Sequence, residues 1–301
     1  MKFLDISDGL SNNSVTTIFQ DDDGYMWFGT YDGLNRYDGY NFKVFRNRIN
    51  DKKSLSFNTI YNIEGDSKKN IWVGGANGIS IYNKATASFH FVEYIASNKK
   101  QKTLQDIIHQ MRAVSDHLVL VASQSLGLIR FENGSFIGKQ IPLTALGNRI
   151  MINNYDAIAI QEDQKNNHAW VYVRNVGICS YNYSNKSLKA GFPLSKEVKA
   201  MKLASDGNLW LGTDEGLFLF NTKTGNISDN YFPNKCSVTD LLVDKKKEIW
   251  ITTDGCGIYK VIGTNNKAIP YNSVNENQLA KSNSVWSLYE DKGGNKWFGS
   301  L

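Results

Sequence analysis

The chain of 301 residues carries a formal charge of +5, with 41% hydrophobic and 21% charged residues. These fractions are typical of a well-packed globular protein and exclude wholesale disorder. The positive charge forms no basic stripe and no recognised nucleic-acid module, so we expect no nucleic-acid partner. No run of about 18 apolar residues occurs, so the sequence predicts no membrane span. Residues 1–10 also lack the basic and apolar regions of a signal peptide.

The first predicted element is a four-stranded meander over residues 14–46. "SVTTIFQD" (14–21) alternates with period two, which indicates a half-buried strand. "YMWFGT" (25–30), "GLNRYD" (33–38) and "FKVFR" (42–46) supply three more strands. The tryptophan of the second strand is large enough to fill a wedge between this sheet and a neighbouring one.

The core of this element recurs along the chain. The most regular copies are "IWVGGANGISIYN" (71–83) and "LWLGTDEGLFLFN" (209–221). Less regular copies lie at 118–132, 169–182 and 249–261, and "KWFGSL" (296–301) begins another. We place Val121 at the tryptophan position of the 118–132 copy; the other tryptophan positions are 27, 72, 170, 210, 250 and 297. A spacing of roughly 40–50 residues with four short β-like runs per unit is typical of a β-propeller.

The sequence therefore predicts an all-β fold: one β-propeller domain over 1–301, built of four-stranded antiparallel blades. We expect a seven-bladed plan with the last blade incomplete, and blades at roughly 11–50, 55–95, 103–142, 153–192, 197–234, 236–272 and 283–301. Residues 2–6, "KFLDI", resemble an outer strand that would close the ring. The longest departure from the repeat is 95–117, where "LQDIIHQM" (104–111) fits either a strand or a helical turn.

The incomplete last blade has a consequence for association. Its third strand would lie beyond Leu301, which leaves an open strand edge beside Trp297. Open edges pair with other chains. We therefore expect a shortened protein that self-associates, for example as a homodimer, or is marginally stable. A stable monomer in size-exclusion chromatography with light scattering would contradict this expectation.

The aspartates of "DDDGYMW" (21–27) are interpreted as turn residues. An EF-hand calcium loop with Gly24 at its sixth position would place Phe19 at position 1 and Thr30 at position 12, so the calcium hypothesis fails. Other copies carry "DSKKN", "SDGN", "DKKKE" and "DKGGN" at this location, which are turn sequences. The glycines after tryptophan and at the start of the third strand are explained by close strand approach and tight turns.

Ligand contacts are expected where the copies differ most, in the turn between second and third strands. In a propeller these turns and the loops leading into each blade open on the same face. Amides, carboxylates, one arginine and aromatic groups there suit a polar ligand such as a sugar. The candidate binding residues are Tyr31, Asp32, Asn77, Arg174, Asn175, Asp214, Glu215 and Asp254.

Catalytic and metal signals are weak. The four histidines show no metal-ligand spacing, and no G-x-S-x-G motif is present. We therefore predict no catalytic residue, no metal and no cofactor. Three cysteines without C-x-x-C spacing argue against a disulfide framework and against zinc, while one pair plus one free thiol stays open.

Residues 8–47, from "DGLSNNSVTTIFQDDDGYMWFGTYDGL" onward, resemble the repeat of the two-component regulator propellers, the periplasmic sensor regions of bacterial hybrid histidine kinases of the Bacteroides type. "NSVWSLYEDKGGNKWFGS" (283–300) matches the first half of that repeat. The resemblance extends over nearly the whole chain, although the copies at about 95–190 are eroded.

This resemblance implies a periplasmic sensor fragment that binds an oligosaccharide from polysaccharide breakdown without catalysis. Its partners would be the further propeller and kinase domains of such systems, where the kinase activity would reside. The family defines no fixed ligand motif, so no site residue is carried over. Two alternatives stay open: a propeller lyase acting on a polar or polyuronide substrate, and a protein-interaction platform.

Overall fold

The computed structural model describes residues 2–115, 117–132, 134–145, 150–232, 235–262, 267–271 and 283–300. The chain divides into two compact units, a first unit of Met1–Asn13 with Phe19–Leu194 and a second unit of Ser14–Ile18 with Ser195–Leu301. Two short 3-10 turns occur at Ile6–Asp8 and Gln164–Asn166, and the other regular elements are β-strands. Over the residues described, no helix has the length and apolar character needed to cross a membrane.

Blades 1 and 2 are regular four-stranded antiparallel meanders. Blade 1 has strands β1 (Val15–Gln20, whose first four residues count with the second unit), β2 (Met26–Thr30), β3 (Gly33–Tyr37) and β4 (Phe42–Phe45). Blade 2 has β5 (Ile60–Gly65), β6 (Ile71–Gly75), β7 (Gly78–Asn83) and β8 (Ser88–Phe91). Their spatial order follows the chain order. The four strands predicted for the first repeat are confirmed.

Blades 3 and 4 have six strands each, because a short hairpin joins the outer edge of each meander. Blade 3 comprises β9 (Glu93–Ile95), β10 (Gln101–Thr103), β11 (Ile108–Ser115), β12 (Leu118–Ser123), β13 (Gly127–Glu132) and β14 (Ile137–Ile141). Blade 4 comprises β15 (Leu143–Ala145), β16 (Ile150–Ile152), β17 (Ala157–Asp163), β18 (His168–Val173), β19 (Gly177–Asn182) and β20 (Ser187–Phe192). Strand β9 pairs in parallel with β14, and β15 pairs in parallel with β20. The ambiguous segment "LQDIIHQM" leads into a strand, β11.

The second unit holds two blades and one smaller sheet. Blade 5 has β21 (Val198–Leu203), β22 (Leu209–Thr213) and β23 (Gly216–Phe220). Blade 6 has β24 (Ser237–Val243), β25 (Ile249–Asp254), β26 (Ile258–Ile262) and β27 (Lys267–Pro270). Strands β28 (Val285–Glu290) and β29 (Lys296–Ser300) form a two-stranded antiparallel sheet.

The fold class is an all-β propeller of antiparallel meanders, with three differences from the prediction. Within the described ranges, only blades 1, 2 and 6 have the predicted four strands, because blades 3 and 4 gain a parallel-paired hairpin and blade 5 has three strands. Over the described residues six blades form instead of the seven expected, because β28 and β29 have only each other as strand partners. Residues 2–6, where an outer strand was expected, contain no strand; Ile6–Asp8 forms a 3-10 turn that Asp5 caps through its carboxylate.

The tryptophans fill the space between neighbouring blades, as predicted. In the first unit Trp27 is fully buried and its ring centroid lies 5.7 Å from that of Tyr82 in blade 2. Trp72 of blade 2 packs edge-on against Phe131 of blade 3 at 5.1 Å. In both places the indole of one blade meets the aromatic third-strand residue of the next.

Leu120, and not Val121, occupies the tryptophan position of blade 3. The turn after β12 is one residue longer than the turn after β6, because Ser123 pairs with Gly127 whereas Gly75 pairs with Gly78. Counting back from the turn therefore places Leu120 at the level of Trp72. Val121 lies on the opposite face, in the apolar cluster that contains Trp72.

Four of the tryptophans, in blades 1, 2 and 6 and in the β28–β29 sheet, are bonded to an aspartate six residues earlier in the chain. The indole N–H donates to a carboxylate oxygen of that aspartate at 2.8–3.0 Å in four pairs: Trp27–Asp21, Trp72–Asp66, Trp250–Asp244 and Trp297–Asp291. The other carboxylate oxygen accepts backbone N–H groups of the turn; Asp66, for example, accepts from Lys68 and Asn70. The turn interpretation is confirmed, and the aspartate has a second role that the sequence did not reveal.

Glycine allows the blades to approach one another. A Cβ at Gly74 would lie 2.7 Å from the Ile108 side chain of the next first strand. Gly78 starts a third strand with φ of +104°, and a Cβ there would collide with the carbonyl oxygen of Leu104. Close approach and a left-handed turn thus explain these two positions.

Two of the three cysteines form a disulfide, which was one of the open alternatives. Cys236 precedes β24 and is bonded to Cys256 in the turn after β25. The third, Cys179, is buried among apolar residues, and this burial raises the pKa of its thiol to about 12. It is therefore an unreactive core residue.

Candidate functional site

All eight predicted binding residues lie at the turns between second and third strands, at the opposite end of the blades from the Asp–Trp turns. The turns after β2 and β22 share one geometry, in which a threonine hydroxyl donates to the glycine carbonyl three residues later. Thr30 and Gly33 form this bond in the first unit, and Thr213 and Gly216 form it in the second. The same hydroxyl accepts the N–H of Asp32 or Glu215, so the fold holds the backbone and leaves the side chains at the surface.

In the first unit three of the predicted residues surround the turns of blades 1 and 2. Tyr31 has 42% of its surface exposed, and Asn77 is exposed in the turn after β6. Asp32 forms an ion pair with Arg46 at 2.9 Å, with both side chains more than 40% exposed. An exposed pair of this kind contributes little to stability, so both groups can exchange partners.

A more enclosed cluster joins blades 3 and 4 of the first unit. Asp156, in the loop leading into β17, accepts a hydrogen bond from the Arg174 guanidinium and lies 3.1 Å from the imidazole of His109. Arg174 and the exposed Asn175 belong to the turn after β18, whereas His109 lies in the first strand of blade 3. A turn, a leading loop and a first strand therefore meet at one place.

The surroundings of His109 favour the neutral form of its imidazole. Burial lowers the pKa of His109, the nearby Arg174 lowers it further, and Asp156 opposes both. A neutral imidazole next to a carboxylate can accept or donate one proton, which is the chemical capacity of a general base.

In the second unit the predicted carboxylates are paired with residues of the leading loops. Glu215 forms an ion pair with Lys196 at 2.6 Å, and this bond holds the pKa of Glu215 below its usual range. Asp254 accepts a hydrogen bond from the Ser284 hydroxyl at 2.6 Å. Asp214 is exposed. Turns and leading loops thus converge in this unit as well.

Six first strands carry a feature that sequence reasoning missed. Each contains a register shift that leaves one residue outside the strand ladder, a β-bulge. The residue before each bulge is buried, but the bulge residue is itself at least partly exposed. We name these six the bulge residues: Tyr61, His109 and Ile158 in the first unit, and Lys199, Thr239 and Trp286 in the second. Bulges often re-aim a side chain next to a functional site.

Hydrogen bonds between neighbouring first strands align the bulge residues. Asn62 accepts from the N–H of Met111, Gln110 accepts from that of Ile160, and Asp240 accepts from that of Leu288. Each acceptor follows one bulge residue by one position, and each donor follows the next bulge residue by two. Within each unit the bonded strands therefore hold their bulge residues at the same level. The apolar–polar alternation of a strand sequence does not reveal such register shifts. Trp286 gave one signal, because it alone of the seven tryptophans lies off the repeat period.

Metal ligation finds no support in the described part of the chain, where no three His, Cys, Asp or Glu side chains are grouped closely enough to hold an ion. The turn, loop and bulge residues of the two units instead offer groups for polar recognition: carboxylates, ammonium and guanidinium groups, hydroxyls and one exposed indole.

Known proteins with this repeat identify the kind of scaffold. A family model described as two-component regulator propeller matches residues 9–32. Histidine kinase P4 of Formosa agariphila is 53% identical over 49 residues, which is 16% of this chain and 4% of that kinase. The chain is similar to the two-component regulator propellers. The resemblance inferred from the sequence is thus confirmed.

Solved structures show the same propeller fold over nearly the whole chain. The extracellular domain of a hybrid two-component system of B. thetaiotaomicron matches with a TM-score of 0.80 and 21% identity, over 99% of this chain and 40% of that domain. Virginiamycin B lyase of Staphylococcus aureus matches with a TM-score of 0.66 and 13% identity, over 96% of this chain and 92% of the lyase. The chain therefore spans less than half of the first of these proteins.

Proposed function

We propose that this two-component regulator propeller is the extracytoplasmic, periplasmic ligand-sensing part of a two-component system and binds an oligosaccharide released from a polysaccharide. The chain itself carries out no catalysis, and the kinase activity resides in other domains of the system. The likeness to an extracellular domain of a hybrid two-component system supports the class of protein. The ligand class is supported by the chemistry of the blade ends.

The observation that carries the proposal is the convergence of turns, leading loops and bulge residues. His109, Asp156 and Arg174 meet in the first unit, and Asp254 and Ser284 meet in the second. Paired donors and acceptors on a rigid scaffold suit a ligand that presents many hydroxyl groups, because each hydroxyl both donates and accepts. Since these side chains differ from blade to blade, the repeat itself does not require them.

A thermal-shift panel tests the proposal. The probes are cellotriose, xylotriose, mannotriose, laminaritriose, galactotriose and trigalacturonate, each at millimolar concentration. A ligand that binds only the folded protein at about 100 times its Kd adds about 2.7 kcal/mol of stability. We expect at least one trisaccharide to raise Tm by a few degrees, and glucose at the same concentration to raise it less. No stabilisation by any saccharide would favour a protein-interaction platform instead.

A lyase is the second candidate, and one observation favours it. His109 lies on a bulge beside Asp156, with its pKa lowered so that it can act as a base. A virginiamycin B lyase in which a histidine is replaced by alanine is described as catalytically inactive. If this chain cleaves quinupristin or trigalacturonate and His109→Ala abolishes the cleavage, the lyase function replaces the sensor function. We expect no cleavage of either compound.

A further inference from the structure

Trp286 differs from the other six tryptophans in both position and environment. Those six occupy the repeated wedge position, and four of them donate their indole N–H to an aspartate. Trp286 is instead the bulge residue of β28 and has 36% of its surface exposed. The described residues provide no hydrogen-bond partner for its indole N–H. Exposing the apolar surface of an indole to water is unfavourable, and the repeat gives no structural reason to expose this one.

The backbone on both sides of Trp286 is firmly held. The Thr239 hydroxyl bonds to the carbonyl of Val285, and Asp240 accepts the N–H of Leu288 at 3.1 Å. On the other side of β28, the Ser287 hydroxyl donates to the carbonyl of Val15 at 3.4 Å. A ring carried by a backbone that both neighbouring strands fix loses little conformational entropy when a ligand stacks on it.

Polar side chains of β21, β24, β25 and the loop before β28 lie at this end of the second unit. Lys199, the bulge residue of β21, donates from Nζ to the Ser237 hydroxyl at 2.7 Å. Ser237 pairs across the ladder with Asp254, and Asp254 accepts from Ser284, two residues before Trp286. An ammonium, a carboxylate and two hydroxyls thus lie at the same end of the second unit as the indole.

We propose that Trp286, Asp254, Ser284 and Lys199 form a subsite for one uncharged pyranose ring. The C–H face of the sugar stacks on the indole, and neighbouring sugar hydroxyls donate to Asp254 and accept from Lys199. One positive and one negative group balance each other, so the subsite has no surplus charge to stabilise an acidic sugar. This inference rests on the proposed function, because it places one residue of an oligosaccharide at this end of the second unit.

Isothermal titration with the same trisaccharides tests the subsite in wild type and in Trp286→Ala, Trp286→Phe, Asp254→Asn and Lys199→Met. For each neutral trisaccharide that binds wild type, we expect Trp286→Ala to lower the affinity about tenfold, since it removes both stacking and apolar contact. Trp286→Phe should stay within about threefold of wild type, because it keeps a stacking face. The two polar variants should each lose several-fold, and trigalacturonate should bind more weakly than galactotriose.

Tyr40→Ala is the matched control, because Tyr40 is an aromatic residue with 88% exposure in the first unit and lies outside the subsite. It should leave every affinity unchanged. The Tm of each variant shows whether it is folded. Unchanged affinity in Trp286→Ala, or tighter binding of trigalacturonate than of galactotriose, would overturn the subsite while leaving the proposed function standing. If no trisaccharide binds wild type, both the proposed function and the subsite are wrong.

Discussion

The two ends of each blade are built by the same strands but follow different rules. At the end where first and second strands join, the Asp–Trp pair recurs with nearly constant geometry in blades 1, 2 and 6 and in the β28–β29 sheet. At the other end the turn residues and bulge residues change from blade to blade. Repetition within one chain therefore marks the residues that the fold needs, and variation on the same scaffold marks those that are available for recognition.

Removing a wedge tryptophan should give the largest loss of stability. Trp72 is 1% exposed and packs against Phe131 and Phe136. Trp72→Ala should lower the free energy of unfolding by about 3–5 kcal/mol, because it removes this packing and leaves a cavity. Urea denaturation measures the change. A loss below about 1 kcal/mol would show that the wedge does not hold the blades together.

Removing the aspartate of the same pair should have a smaller effect. In Asp66→Ala the indole N–H of Trp72 and the backbone N–H groups of Lys68 and Asn70 lose their acceptor. We expect a loss of about 1–3 kcal/mol in urea denaturation. Asp229→Ala, at an exposed position outside these turns, is the control and should change stability by less than about 0.5 kcal/mol. Equal effects of the two variants would contradict the role given to the pair.

Low pH should destabilise the blade ends that carry the Asp–Trp pairs. Burial alone would raise the pKa of Asp244 and Asp291, but hydrogen bonds to each carboxylate, with Lys296 beside Asp244, outweigh it and hold both pKa values below their usual range. Because the unfolded chain then binds protons more readily, these groups stabilise the fold above about pH 4, and that contribution is lost as the pH falls further. Thermal unfolding from pH 7 to pH 2 should show this decline. In the double variant Asp244→Asn, Asp291→Asn the decline should be shallower; an unchanged slope would contradict the assignment.

Blade 5 offers the reverse experiment. The turn between β21 and β22 has the same two backbone hydrogen bonds as the Asp66 turn: the N–H of Ala204 donates to the carbonyl of Asn208, and the N–H of Gly207 donates to the carbonyl of Ala204. In this turn, however, Ala204 stands at the aspartate position. Ala204→Asp should therefore supply an acceptor for Trp210 and raise the free energy of unfolding by about 1 kcal/mol. Ala204→Leu provides no acceptor and should give no gain. A destabilised Ala204→Asp variant would show that the pair needs more than this turn.

Most of the fold could be predicted because it is local and repeated. The alternation of 14–21, the glycine of each turn and the spacing of the tryptophans define β1–β4 and their copies without reference to distant residues. The hairpins β9–β10 and β15–β16 escaped prediction because their parallel pairing joins segments about 45 residues apart and occurs in only two blades. The misplacement at Leu120 came from one extra turn residue, which shifts the strand by one position.

The candidate site could be predicted only in part. The turn residues were found because they vary between copies, and the structure places all eight at that end of the blades. Asp156, the partner of Arg174, and Ser284, the partner of Asp254, were missed because they lie in leading loops, 18 and 30 residues away along the chain. Bulge residues were missed because a register shift depends on hydrogen bonds between strands; the off-period position of Trp286 was the one sign in the sequence. Their role in binding stays a prediction.

The separate roles of the two blade ends are tested most directly by titrating Trp72→Ala and Trp286→Ala side by side. The ligands are galactotriose and the other neutral trisaccharides, and the temperature is one at which both variants are folded. Trp72→Ala should lose stability and keep wild-type affinity, whereas Trp286→Ala should keep its Tm within about 2 °C and bind about tenfold more weakly. If Trp286→Ala binds as tightly as wild type, or if each variant loses both stability and affinity, the two ends do not have the separate roles described.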